Sequence, residues 1–149
     1  MLIRRDRAMV AVSVMLDVAF NGGRNNTVSA ADLAERLGMA RRGMEPLLQS
    51  LSRAGLLDSV RGPRGGYRLG RPRRDITLAD VVAAATADDE PVRDGPGGAL
   101  QTGVVDPLWN TLEAAAQRQL AGLTIEDLMR QATTAGLRRP AAEPITFAI

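Results

Sequence analysis

The sequence predicts a mainly α protein with one small β-hairpin: a winged helix-turn-helix head followed by a long C-terminal helix. Three observations predict it. Two short amphipathic segments joined by a turn at Gly38 are followed directly by two strand-like runs around Arg61-Gly62-Pro63-Arg64-Gly65. A longer segment after Asp106 carries Leu108, Leu112, Ala116 and Leu120 on one helical stripe. Charge is also divided unevenly. Residues 1–74 hold fourteen Arg against six acids, a surplus of +8, whereas residues 75–149 hold five Arg against eleven acids, a balance of −6.

The elements follow in order. Roughly Arg7 to Asn21 reads as a first helix with Met9, Val12, Leu16 and Phe20 on its buried stripe, and Gly22 is placed for a left-handed cap. After a polar loop at Arg24-Asn25-Asn26, Ser29 and Asp32 form a capping-box-like pair. That helix has Ala31, Leu33, Ala34 and Leu37 as its apolar positions, and Gly38 stops it. A second amphipathic segment runs from about Arg41 to Ala54, burying Met44, Leu47, Leu48 and Leu51. Pro46 lies inside it, so this helix is expected to begin late, near Arg42 to Glu45, or to kink.

After Gly55 the period changes. Leu56 to Val60 and Gly66 to Leu69 read as strands, and the charged turn between them makes the hairpin a wing. Pro72 ends the second strand. Thr77 and Asp80 form another capping-box-like pair, opening a helix through Leu78, Val81, Val82 and Ala85. Residues 86–104 read as a flexible loop, Asp106 as the cap of the long helix with Pro107 in its first turn, and Thr124 with Asp127 as the start of a shorter helix. The expected organisation is a head over 1–85, the loop over 86–104, dimerisation helices over 105–135 and an irregular tail over 136–149.

Composition removes most chemistry. There is no Cys and no His, and every basic residue is Arg, so disulfides, His-based catalysis and lysine Schiff bases are excluded. Tyr67 is the only tyrosine and lies in a wing strand, and no nucleophile has a base beside it, so an enzyme is not expected. The acids Asp88-Asp89-Glu90 lack metal-ligand spacing and read as solvated, so no metal and no cofactor is expected. The N-terminus meets Asp6 and Arg7 where a signal peptide needs its apolar stretch, and no apolar run can cross a bilayer. A cytoplasmic protein without a membrane partner is the expectation.

A basic head points to double-stranded DNA. Gly62 and Gly65 let the backbone approach a phosphate, and Arg61 and Arg64 flank a tip suited to a minor groove. The competing reading is a glycine-rich hairpin with solvated arginines. The long stripe of Leu108, Trp109, Leu112, Ala116 and Leu120 needs a partner surface, and a helix–helix homodimer suits a palindromic operator. Trp109 also reads as core packing in preference to a ligand contact, and Met39, Met44 and Met129 as core fillers.

Met15-Leu16-Asp17-Val18-Ala19, Leu33-Ala34-Glu35-Arg36-Leu37-Gly38 and Ser59 to Leu69 resemble the Rrf2 family of bacterial winged-helix regulators. Ile76 to Val82, Leu108-Trp109 and Leu123 to Leu128 resemble its post-wing helix and dimerisation region. The resemblance runs over about residues 1–132. It implies a homodimeric transcription factor, usually a repressor, with a recognition helix in the major groove and a wing in the minor groove. Carried onto this chain, Arg41, Arg42, Glu45 and Gln49 lie on the recognition helix, and Arg61, Gly62, Arg64 and Gly65 on the wing. Arg41 or Arg42 suits guanine or phosphate, and Glu45 can accept from cytosine. The other reading of Glu45 is a surface carboxylate pairing Gln49 or Arg42.

Three departures matter, one of them in the recognition helix, where Gly43 stands in place of the aromatic or large residue that relatives often have and Pro46 falls inside, so base specificity is expected to differ from that of the cluster regulators. Cluster-binding members of the family place three Cys in the region of residues 86–104, and this chain has none, so iron–sulfur chemistry is not carried over. Met9 stands where the family usually has Tyr, a change expected to be conservative within the core. The leading expectation is a cluster-free DNA-binding regulator responding to an unidentified small molecule, a protein effector, or nothing. A protein-interaction adaptor on the same scaffold is the alternative, and the +8 head argues against it.

Overall fold

The computed structural model describes residues 5–23, 26–89 and 95–140. The polar loop at Arg24-Asn25, the acid Glu90 and the tail beyond Pro140 lie outside them.

Helix α1, Arg5–Asn21, buries Ala8, Ala11, Val14, Met15, Val18 and Ala19. The expected stripe is therefore rotated about the helix axis. Met9 is 53% exposed, and Val12, Leu16 and Phe20 are only half-buried. The helix is apolar on nearly all sides, so periodicity alone does not choose its inner face. Packing against the post-wing helix chooses it, because the small alanines allow that helix close. Met9 is accordingly no core residue. Gly22 does not take a positive φ; it is small because a Cβ there would stand 2.6 Å from the Val18 carbonyl oxygen. The helix end is capped from far away. The Arg139 guanidinium donates to the carbonyls of Ala19, Phe20 and Gly22 at 3.0–3.3 Å.

Helix α2, Ala30–Leu37, begins with the Ser29 hydroxyl accepting from the Asp32 N–H at 3.0 Å and ends at Gly38, φ 63°. Leu33 and Ala34 are its buried pair, and Ala31 faces solvent. Arg36 clamps this helix to α1 by two bonds to the Asp17 carboxylate at 2.8 and 2.9 Å. Those bonds raise the Arg36 pKa above its ordinary value.

Helix α3, Arg41–Arg53, starts at Arg41, not late. The Gly43 N–H donates to the Ala40 carbonyl at 3.1 Å, which tightens the first turn. Pro46 sits inside the helix on its exposed side, and the helix runs on through it despite the N–H it lacks. Met44, Leu47, Leu48 and Leu51 are buried as expected.

Strands β1, Leu57–Val60, and β2, Gly66–Leu69, pair antiparallel with Leu57 opposite Leu69 and Val60 opposite Gly66. A third piece joins them. Val28 exchanges two main-chain bonds with Tyr67 at 2.7 and 2.8 Å.

A 3-10 turn at Arg73–Asp75 leads to α4, Leu78–Thr86, which buries Leu78, Val81, Val82, Ala84 and Ala85. The long helix begins earlier than expected. Ala99 and Leu100 are already helical, a π turn spans Gln101–Val105, and α5 continues over Asp106–Ala121. Asp106 is thus not a cap, and Pro107 lies within a continuous helix. The widened turn, in which the Asp106 N–H reaches the Gln101 carbonyl, comes directly before the proline whose ring would crowd a regular α-turn. The final helix, α6, Ile125–Thr134, buries Ile125 and Met129 against α1.

Candidate nucleic-acid interface

Helix α3 sorts its residues by face. While Met44, Leu47, Leu48 and Leu51 anchor it in the core, Arg41, Arg42, Glu45 and Gln49 are all exposed. Buried apolar positions on one side therefore present charged and amide groups on the other, at spacings of three and four residues. Arg53 closes this outer face but is engaged, with Asp88 at 3.2 Å.

The hairpin tip is built by sterics. Gly62 takes φ 115°, and the Gly65 N–H donates to its carbonyl at 2.8 Å. A Cβ on Gly65 would meet the Val60 and Gly62 carbonyl oxygens at 2.5 and 2.8 Å. Gly65 is thus required for close approach and not for a left-handed φ. Arg61, Gly62 and Arg64 are exposed, Gly65 half-buried. The Thr27 hydroxyl donates to the Arg64 carbonyl at 2.7 Å and ties the tip to the segment before α2. Sequence patterning does not single out Thr27 and Val28. Two β-branched residues before a helix cap are the signal there, too short to separate from loop.

Charge pairing divides the arginines. Arg7, Arg36, Arg53, Arg68, Arg71, Arg73 and Arg130 each have a carboxylate within 4.0 Å. Among the described residues, Arg41, Arg42, Arg61 and Arg64 have none, and neither do Arg74, Arg118 and Arg138. Among the described residues Glu45 pairs with no arginine, so its reading as a partner of Arg42 finds no ion pair here. All four arginines singled out for nucleic acid remain available to an outside anion.

The second candidate surface lies on the long helix. Helix α5 has no buried residue. Leu100, Val104, Leu108, Trp109 and Leu112 are exposed at 40–80%, and Ala116 and Leu120 are half-buried. Trp109 is 44% exposed, so it is no core residue of the single chain, and nothing among the described residues folds over it. Met39 is half-buried, and Met44 and Met129 are buried, as core fillers.

Among the described residues, no group of three or more His, Cys, Asp or Glu could hold a metal, and no helix is long and apolar enough to cross a membrane.

Residues 5–131 match the profile of the Rrf2 family, described as iron-dependent transcriptional regulators. The chain is 37% identical over 123 residues to the HTH-type transcriptional regulator IscR of Vibrio campbellii, covering 80% of this chain and 73% of that protein. It is 34% identical over 122 residues to IscR of Klebsiella pneumoniae, covering 80% and 74%. Among solved structures, T. potens IscR superposes with a TM-score of 0.70 at 28% identity, covering 90% of each chain. CymR, the global cysteine regulator of B. subtilis, gives 0.70 at 25% identity, covering 88% of this chain and 98% of that one.

Proposed function

The chain belongs to the Rrf2 family of DNA-binding transcriptional regulators and is not an enzyme, and from that premise we propose that it acts as a cluster-independent homodimeric repressor. The family description carries iron, yet this chain supplies no thiolate and no imidazole. Its donor set does not fit an iron–sulfur cluster, so DNA recognition rests on the protein alone.

In this reading α3 enters the major groove. Arg41 or Arg42 contacts guanine or phosphate, Gln49 an adenine edge, and Glu45 the amino group of a cytosine. Arg61 and Arg64 enter the flanking minor groove, with Gly62 and Gly65 keeping the tip narrow. The exposed stripe of α5, Leu108, Trp109, Leu112, Ala116 and Leu120, pairs with its copy in a second chain and sets two heads on a palindrome. Repression follows when the bound dimer covers promoter DNA in the cytoplasm. A small-molecule or protein effector would act by changing the spacing of the heads.

The observation that carries the reading is the set of exposed arginines, on the outer face of α3 and at the hairpin tip, that have no acid partner among the described residues. The test is a salt titration of binding to the DNA upstream of the protein's own gene, against a shuffled duplex. Preference for the promoter of at least ~1,000-fold is expected. The Arg61→Ala/Arg64→Ala variant should bind more weakly with a salt slope reduced by about 2. Equal affinity for both duplexes defeats the sequence-specific reading.

A further inference from the structure

A cleft of about 910 Å³ opens at the root of the hairpin, away from Trp109. Its walls are the C-terminal turn of α1, the end of β2, the connector from Arg71 to Arg74, Glu126 in the first turn of α6, and the tail at Arg139. Five guanidinium groups line it (Arg68, Arg71, Arg73, Arg74 and Arg139) against two carboxylates, Asp58 and Glu126.

The acids leave a positive surplus. Arg73 pairs with Glu126. Arg68 stands 3.7 Å from Asp58, with both side chains half exposed, and Arg71 reaches Asp80 only at 3.9 Å. Arg74 has no carboxylate within 4.0 Å among the described residues. Arg139 gives its donors to the carbonyl end of α1. Because arginine never deprotonates in this setting, the surplus persists at all physiological pH values.

We propose that this cleft binds a small multivalent anion, presenting two or more carboxylate or phosphate groups to Arg68, Arg71 and Arg74. Guanidinium forks match the paired oxygens of such groups, and the volume lies within the ~300–1,000 Å³ of small-molecule sites. A DNA backbone offers the same phosphate oxygens. Shape favours the free anion: a compact one seats between the arginines inside the cleft, whereas a rigid duplex crosses only its opening. The walls come from the wing root and from the C-terminal helices, so an occupant bridges the two. Anion binding at this cleft stands whether or not the chain represses.

The test is calorimetric titration of the full chain with inorganic pyrophosphate, and separately with citrate, at ionic strength fixed with sodium chloride. Saturable binding at one anion per chain is expected. The Arg71→Gln/Arg74→Gln variant should bind at least ~10-fold more weakly, about 1.4 kcal/mol. The Arg41→Gln/Arg61→Gln variant should match the wild type. Circular dichroism checks that the first variant folds, and the single Arg74→Gln variant carries the same comparison if it does not. Titration with duplex DNA separates the sources. Heats that follow ionic strength alone, or undiminished pyrophosphate affinity in both Arg74 variants, overturn the proposal. So does loss of DNA affinity with anion affinity retained, which assigns Arg71 and Arg74 to the duplex backbone.

Discussion

Thr77 and Thr124 face each other across a single antiparallel bridge, and each is also the N-cap of a helix. The Leu78 N–H donates to the Leu123 carbonyl at 2.8 Å, and the Ile125 N–H to the Ile76 carbonyl at 3.0 Å. Each threonine hydroxyl accepts from an aspartate N–H three residues on, and each aspartate accepts from the threonine N–H. Two capping boxes thus sit back to back, joining the head to the C-terminal helices through main chain. Thr77→Ala and Thr124→Ala should each cost about 1 kcal/mol. Because the two sites are in contact, the double variant should depart from additivity by at least ~0.5 kcal/mol. Urea midpoints of the four proteins measure both quantities.

Asp127 gives this joint a pH dependence. The Thr124 N–H and hydroxyl, donating at 2.9 and 3.0 Å, hold its carboxyl below the ordinary carboxylate range, and Arg130 adds to the effect. A depressed folded-state pKa means the carboxylate's contribution is complete above the unfolded value, about 4, and is lost as pH falls through the folded value beneath it. Stability of the wild type should therefore decline in acid more steeply than that of Asp127→Asn. Thermal unfolding at stepped pH between about 5 and 2 makes the comparison.

Two glycines predict opposite signs. Gly43 lies exposed in α3, and a Cβ added there would meet nothing within 4 Å, so Gly43→Ala should stabilise by about 0.5–1 kcal/mol through helix propensity. A Cβ on Gly66 would stand 2.6 Å from the Val28 carbonyl oxygen, at the bridge that extends the hairpin. Gly66→Ala should destabilise and loosen the wing. Melting temperatures moving in the same direction for both would contradict this account.

The α5 stripe predicts an oligomeric state. Leu108→Glu/Leu112→Glu places two carboxylates on an exposed apolar seam without disturbing any buried residue. Sedimentation velocity should show a dimer for the wild type and a folded monomer for the variant, which should also lose affinity for a palindromic duplex. A wild-type monomer at high concentration would remove the seam from the functional account.

Much of this fold is legible along the chain: the order of elements, the caps at Ser29, Thr77 and Thr124, the inner face of α3 and the hairpin turn at Gly62. Each of these is written in residues next to one another, where a hydroxyl, an aspartate three positions on, or a missing Cβ acts locally. The absence of any thiolate or imidazole to hold iron is legible there too. Packing between distant segments sets the rest. It chooses which face of α1 turns inward, because a helix apolar all round takes its orientation from what packs on it. It brings Val28 to complete the hairpin and Arg139 to cap α1 from more than a hundred residues away. The long helix runs from Ala99 through a π turn, a start no local capping signal marks. Which arginines are free is likewise a matter of the folded chain, since a guanidinium is neutralised by whatever carboxylate the fold brings within reach, and the fold brings none to Arg41, Arg42, Arg61 or Arg64 among the described residues.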